Sequence, residues 1–125
     1  MKSHLAILLW ATGPDVPHLC ATPFVHAAAA AAMDIETEIH FAAKSVLLLV
    51  EGVAAILYAG NDEKMSVYAH MQQATGFGAK LYACSDALAG HGVARTTLIP
   101  EVAGMAGAAA FLGRALDPEW ATLVF

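Results

Sequence analysis

Short apolar runs alternate along this chain with small-residue helical stretches, which predicts an α/β protein. The expected architecture is three-layer α/β/α, with helices on both faces of a mostly parallel sheet of about five strands. Two stretches carry the prediction. Residues 4–10, His4-Leu5-Ala6-Ile7-Leu8-Leu9-Trp10, are almost continuously apolar, as in a strand buried on both faces. Residues 79–92 pass from apolar Leu81-Tyr82-Ala83 through Cys84 to Ser85 and Asp86, which are helix N-cap types, and close on Gly90 and Gly92. No repeat or low-complexity linker interrupts this order, and 125 residues suit one domain over 1–125.

Taken in order, residues 5–11 form the first strand, and Ala11-Thr12-Gly13-Pro14-Asp15 turns the chain. A loop stiffened by Pro17 leads to a helix with Thr22 as cap and Pro23 in its first turn. Six consecutive alanines, residues 27–32, continue it; high propensity and small bulk let such a helix pack closely. Residues 34–41 alternate, with Ile35, Thr37 and Ile39 on one face and Glu36, Glu38 and His40 on the other. That period predicts a half-exposed strand near a sheet edge. Ser45 is a candidate cap for a helical turn carrying Val46 to Leu49, which either continues through 51–58 or restarts after Gly52. Gly60-Asn61-Asp62 reads as a turn, and a helix starting at Asn61 or Asp62 places Met65, Tyr68 and Met71 on one face. Gly76 and Gly78 end it before the strand at 81–83. Residues 93–100 read as a loop carrying a small strand, 102–116 as a Gly–Ala helix stopped by Asp117-Pro118, and 120–125 as the last strand.

Composition narrows the function. The chain is 58% hydrophobic and 14% charged, apolar enough that surface as well as core is expected to be buried in a homo-oligomer. Residues 42–60 are the best candidate membrane span, but Glu51 stands in the middle, where a carboxylate costs roughly 2.5–3.5 kcal/mol. No membrane association is expected. The net charge of −5 and the lack of a basic cluster argue against nucleic acid. The apolar run after Lys2 is short and lacks a small-residue cleavage site, so a cytoplasmic protein is expected. Two cysteines without a C-x-x-C pair fit free thiols in a reducing compartment.

Cys84 is the leading candidate for chemistry. It stands where a strand ends and a helix begins, at the carboxyl edge where α/β sheets carry their sites. A thiol at a helix start ionises more readily than a free one, and thiolate is the reactive form. The competing reading is an inert core cysteine. Ser85 and Asp86 lie beside it, and His40 and Lys44 follow the second strand at the same edge, as candidate sources of positive charge. Cys20 follows the first strand and is a candidate second thiol, although a merely structural cysteine fits better. His18, Cys20 and His26 make a weak metal pattern, so no metal is expected. No G-x-G-x-x-G or phosphate-binding loop occurs, and no cofactor is expected.

The pattern Gly78-Ala79-Lys80-Leu81-Tyr82-Ala83-Cys84, followed by Ala87-Leu88, Gly92-Val93 and Leu98-Ile99-Pro100-Glu101-Val102, resembles the DsrE/DsrF-like family of small sulfur-relay proteins. Residues 41–60, with Val46-Leu47-Leu48-Leu49 and Gly52-Val53, fit it too. Where some relatives have an arginine–glycine pair, this chain has His91-Gly92. The resemblance implies a flavodoxin-like subunit assembled as a homotrimer or hexamer. It also implies that Cys84 carries sulfur as a persulfide between a donor and an acceptor protein, a sulfurtransferase-type relay. The alternative is a small-ligand or regulatory binding subunit without covalent chemistry.

Overall fold

The computed structural model describes residues 2–60 and 64–125. Five strands form one all-parallel sheet: β1 (His4–Leu9), β2 (Glu36–Phe41), β3 (Lys80–Ala83), β4 (Val102–Met105) and β5 (Trp120–Val124). Their spatial order is β4-β3-β2-β1-β5. Four α-helices join them: α1 (Thr22–Ala32), α2 (Val67–Gly76), α3 (Ser85–Gly90) and α4 (Ala108–Ala115), with short 3-10 helices between. The expected α/β class with a parallel five-stranded sheet flanked by helices is what the chain adopts.

Side chains alternate across a strand, so the sheet has two unlike faces. Ile7, Leu9, Ile39, Phe41, Leu81 and Ala83 point to one and are fully buried. There they meet Phe24 and the alanines of α1, Val67, Met71 and Ala74 of α2, and Leu88 of α3. Phe24 lies 6.0 Å from the ring of Phe41, in stacked orientation. The polyalanine run allows α1 to approach this closely, since Ala27, Ala28, Ala30 and Ala31 add almost no bulk to the face they bury. The opposite face carries Glu38, His40, Tyr82 and Gly104 and is covered by α4.

Several local expectations need correction. β2 is the middle strand, paired with β1 and β3, and on its polar face Glu38 and His40 are buried, 5% and 3% exposed, while Glu36 at the strand start stays exposed. The alternation assigned the faces correctly, but α4 covers the face expected to meet water. Residues 102–105 are strand, because they pair with β3, and the helix starts only at Ala108. α2 is capped by Ser66, whose hydroxyl accepts from the Ala69 N–H at 3.0 Å, so Met65 precedes the helix. The expected start at Asn61 or Asp62 lies outside the described residues. Thr22 is the first helical residue and makes no cap, and Ser45 sits inside the 3-10 helix Ala43–Leu49, its hydroxyl donating to the carbonyls of Leu9 and Ala42. The cap position of α3 is Cys84 itself, with Ser85 and Asp86 in the first turn. Among the described residues no helix is long and apolar enough to cross a membrane.

Candidate functional site

Parallel strands bring the ends of β1 to β4 to one edge. Backbone bonds extend the ladders past the strands there: Ala42 N–H donates to Leu9, Cys84 N–H to Phe41 and Ala106 N–H to Ala83, at 2.9, 3.0 and 2.9 Å. Cys84 is thereby fixed at the carboxyl edge of β3, in extended conformation, before α3 begins with Leu88 N–H donating to its carbonyl at 3.0 Å. Being two residues past Tyr82, Cys84 continues the face that carries Tyr82 and, across the ladder, His40.

On that face, between the sheet edge and α4, lies a cavity of about 330 Å³. Its floor is Leu8, His40, Phe41, Ala42 and Cys84, and its roof is residues 106–108 with Phe111 and Leu112. The lining is apolar apart from the Cys84 thiol and the His40 ring. Cys84 is half-buried and free. A second cleft continues on the other side of His40, among Glu38, Tyr82, Gly113 and Arg114.

His40 is held by Tyr82, Phe111 and Glu38. Its ring lies 5.5 Å from Tyr82 and meets Phe111 edge-on at 5.6 Å. Its Nε2 is 3.0 Å from Glu38 Oε1, while Nδ1 is buried with no partner. Arg114 of α4 donates from Nε to Glu38 Oε1 at 3.2 Å and from Nη2 to Oε2 at 3.1 Å. The guanidinium is itself stacked over Trp120, 4.2 Å from the ring centroid. The bond to Glu38 pushes Arg114 further above its ordinary value, against the opposing effect of burial. Glu38, Arg114 and Phe111 were not singled out as site residues from sequence. The visible signals were the Glu36, Glu38, His40 alternation and the spacing of three between Phe111 and Arg114, which places both on one side of a helix.

The other expected residues are distributed differently. Ser85 and Asp86 are exposed on the first turn of α3. Lys44 does not line the cavity; its Nζ pairs with Asp15 Oδ2 at 2.9 Å and holds that carboxyl below its ordinary value. Cys20 is fully buried, and its thiol donates to the carbonyls of Gly13 at 3.3 Å and Val16 at 3.4 Å. Burial pushes its pKa up to about 11, only partly opposed by the bond to Gly13. His26 Nδ1 stands 2.9 Å from the Thr22 carbonyl. Among the described residues no three His, Cys, Asp or Glu side chains form a cluster able to hold an ion.

The whole chain is similar in fold to solved structures of low sequence identity. The ychN protein from E. coli superposes with a TM-score of 0.75 at 13% identity, covering 100% of both chains. MTH1491 from Methanobacterium thermoautotrophicum, described as a protein of unknown function, gives 0.69 at 16% identity, covering 99% of this chain and 100% of the other. No curated protein matches the sequence. The model of the DsrE/DsrF-like family matches residues 6–125, nearly the full length, and the chain belongs to that family.

Proposed function

We propose that the protein is a sulfur-relay subunit that holds sulfur as a persulfide on Cys84, between a donor protein and an acceptor protein. Family membership supports a sulfur-relay role in general. The observation that carries the finer reading is the position of Cys84: a free, half-buried thiol at the carboxyl edge of the sheet, opening into an apolar cavity. A persulfide is a small, polarisable, weakly hydrated group, and such a cavity shields it from competing thiols and water. Cys84 is the N-cap residue of α3, so the sulfur is carried by the residue at which the chain turns from strand to helix. Cys20 serves as a structural thiol, since its burial opposes both ionisation and attack.

The subunit works as a homo-oligomer, a trimer or hexamer, in the cytoplasm. Support for assembly comes from the apolar surface left open near α4 and the edge strand β5: Trp10, Leu112, Leu116 and Val124 are each more than half exposed. Lys44 acts away from the sulfur, through Asp15.

Intact mass after incubation with a small organic hydropersulfide tests the assignment. The wild-type chain and Cys20→Ser gain one sulfur atom, and Cys84→Ser gains none. Loading retained on Cys84→Ser would remove the hypothesis. The apolar cavity also suits a small-ligand binding subunit. Wild-type protein that takes up no sulfur, yet is stabilised by small apolar molecules, would favour that second reading.

A further inference from the structure

We infer that His40 is the proton acceptor for the Cys84 thiol, and that Glu38 and Arg114 are positioning residues that set its tautomer. The inference rests on Cys84 being the loading thiol and adds the group that activates it.

The argument starts from the carboxylate of Glu38. An ionised carboxylate only accepts hydrogen bonds, and Arg114 already donates to both oxygens. The contact of His40 Nε2 with Oε1 at 3.0 Å therefore requires an N–H on Nε2. In the neutral ring this leaves Nδ1 bare, with a lone pair. That nitrogen is buried and has no partner, on a residue only 3% exposed. A buried acceptor without a donor is costly, about 1–3 kcal/mol, and such atoms call for an explanation. Here the same ring lines the cavity that Cys84 lines, on the same face of neighbouring strands. The ordering is that of a nucleophile, a base and a carboxylate that orients the base, with Arg114 fixing the carboxylate in turn.

The step balances without a further reagent. The Cys84 S–H proton passes to Nδ1, and the thiolate attacks the terminal sulfur of a hydropersulfide donor. A new S–S bond forms to Cys84 as the donor's S–S bond breaks. The donor leaves as a thiolate and takes the proton back from Nδ1, so that a thiol and a protein persulfide result. The transferred sulfur keeps its oxidation state. Glu38 stabilises the transient imidazolium, and Arg114 keeps Glu38 in place.

The test reads alkylation of Cys84 by iodoacetamide, which needs the thiolate but no sulfur donor, alongside sulfur loading. His40→Ala should slow both by about 100-fold, the lower end of general-base effects. Added imidazoles should restore the alkylation rate, more strongly with increasing basicity, an effect that simple cavity filling does not produce. Glu38→Gln should slow alkylation in the native background and change nothing further on His40→Ala, because Glu38 acts through His40. Unchanged alkylation in His40→Ala, no rescue by imidazole, or additive losses in the double variant would overturn the inference. Should His40→Ala fail to fold, Glu38→Gln decides alone, and a wild-type alkylation rate there refutes the relay. Alkylation that behaves as expected in a chain that never loads sulfur would refute the sulfur-relay reading and leave the base assignment standing.

Discussion

Raising the pH should expose how differently the fold treats its two thiols. Cys20 is fully buried, donates to two carbonyls, and titrates near 11 instead of 9.0. At about pH 8 such a thiol is ionised roughly 100-fold less than an ordinary one, so native Cys20 should resist iodoacetamide while Cys84 reacts. The same displacement affects folding. Because the folded value is raised, the associated stability is complete below the unfolded value of 9.0 and is lost as the pH rises through about 11. Integrated to about pH 10.5, the loss is about 2 kcal/mol. With a urea slope of about 1–3 kcal/mol per molar, the unfolding midpoint of wild type should fall by roughly 1 M between about pH 8 and pH 10.5 from this group alone. Cys20→Ala isolates that share. It starts lower, having lost the packed sulfur, but should fall less over the same range. Equal alkaline losses in the two proteins, or labelling of native Cys20 as fast as Cys84, would refute the reasoning.

Four further outcomes follow from local features of the fold. Arg114→Ala leaves Glu38 buried with only His40 beside it and should cost about 2 kcal/mol in urea unfolding, below the value for a fully buried pair because Arg114 is partly solvated. Gly78 has φ +114 with open space around it, so Gly78→Ala should cost about 1–2 kcal/mol from backbone strain alone. Gly76→Ala, at the end of α2, has neither strain nor a clash and should be neutral or stabilise by up to about 1 kcal/mol in the same assay. Leu116→Asp, combined with Leu112→Asp on the exposed side of α4, should shift sedimentation toward smaller species without loss of helix; an unchanged distribution would exclude α4 from the subunit contact.

What sequence shows and what it hides divides here along the two faces of the sheet. The α1–α2 side was legible because its information is local. Continuous apolar residues mark β1, a polyalanine run marks α1, and strand followed at once by cap-type residues marks the turn that holds Cys84. Each signal arises within about a dozen residues, and each element buries what its own pattern offers. The α4 side was read poorly because its decisive partners are far apart. Arg114 and Glu38 are separated by 76 positions, and nothing near Glu36, Glu38 and His40 announces a cover. Alternation alone made β2 a half-exposed edge, whereas pairing with β1 and β3 makes it central. The Gly–Ala run at 102–116 misled in the same way. Small residues suit either a close-packed helix or a strand end lying over Tyr82, and the ladder with β3 decided for the strand at Gly104.

That asymmetry bears on how the site works. A sheet face needing only stability would bury apolar side chains, as the α1–α2 side does, since replacing a buried ion pair by well-packed apolar groups is often neutral or stabilising. This chain instead places a glutamate, a histidine and an arginine under α4, against the one free thiol with a cavity in front of it. α4 is largely exposed as a helix, and it reaches the sheet through Phe111 and Arg114, the two side chains that grip His40 and Glu38. Its docking and the orientation of His40 therefore depend on the same contacts. A partner or second subunit that covers Leu112 and Leu116 would press α4 onto the sheet and tighten those contacts. A partner that draws α4 away would loosen the roof over Cys84. On the proposed relay, loading and release of sulfur would then depend on what sits on α4. If so, Arg114→Ala should change the alkylation rate of Cys84 as well as stability, and a variant that lost stability with no change at Cys84 would break that connection.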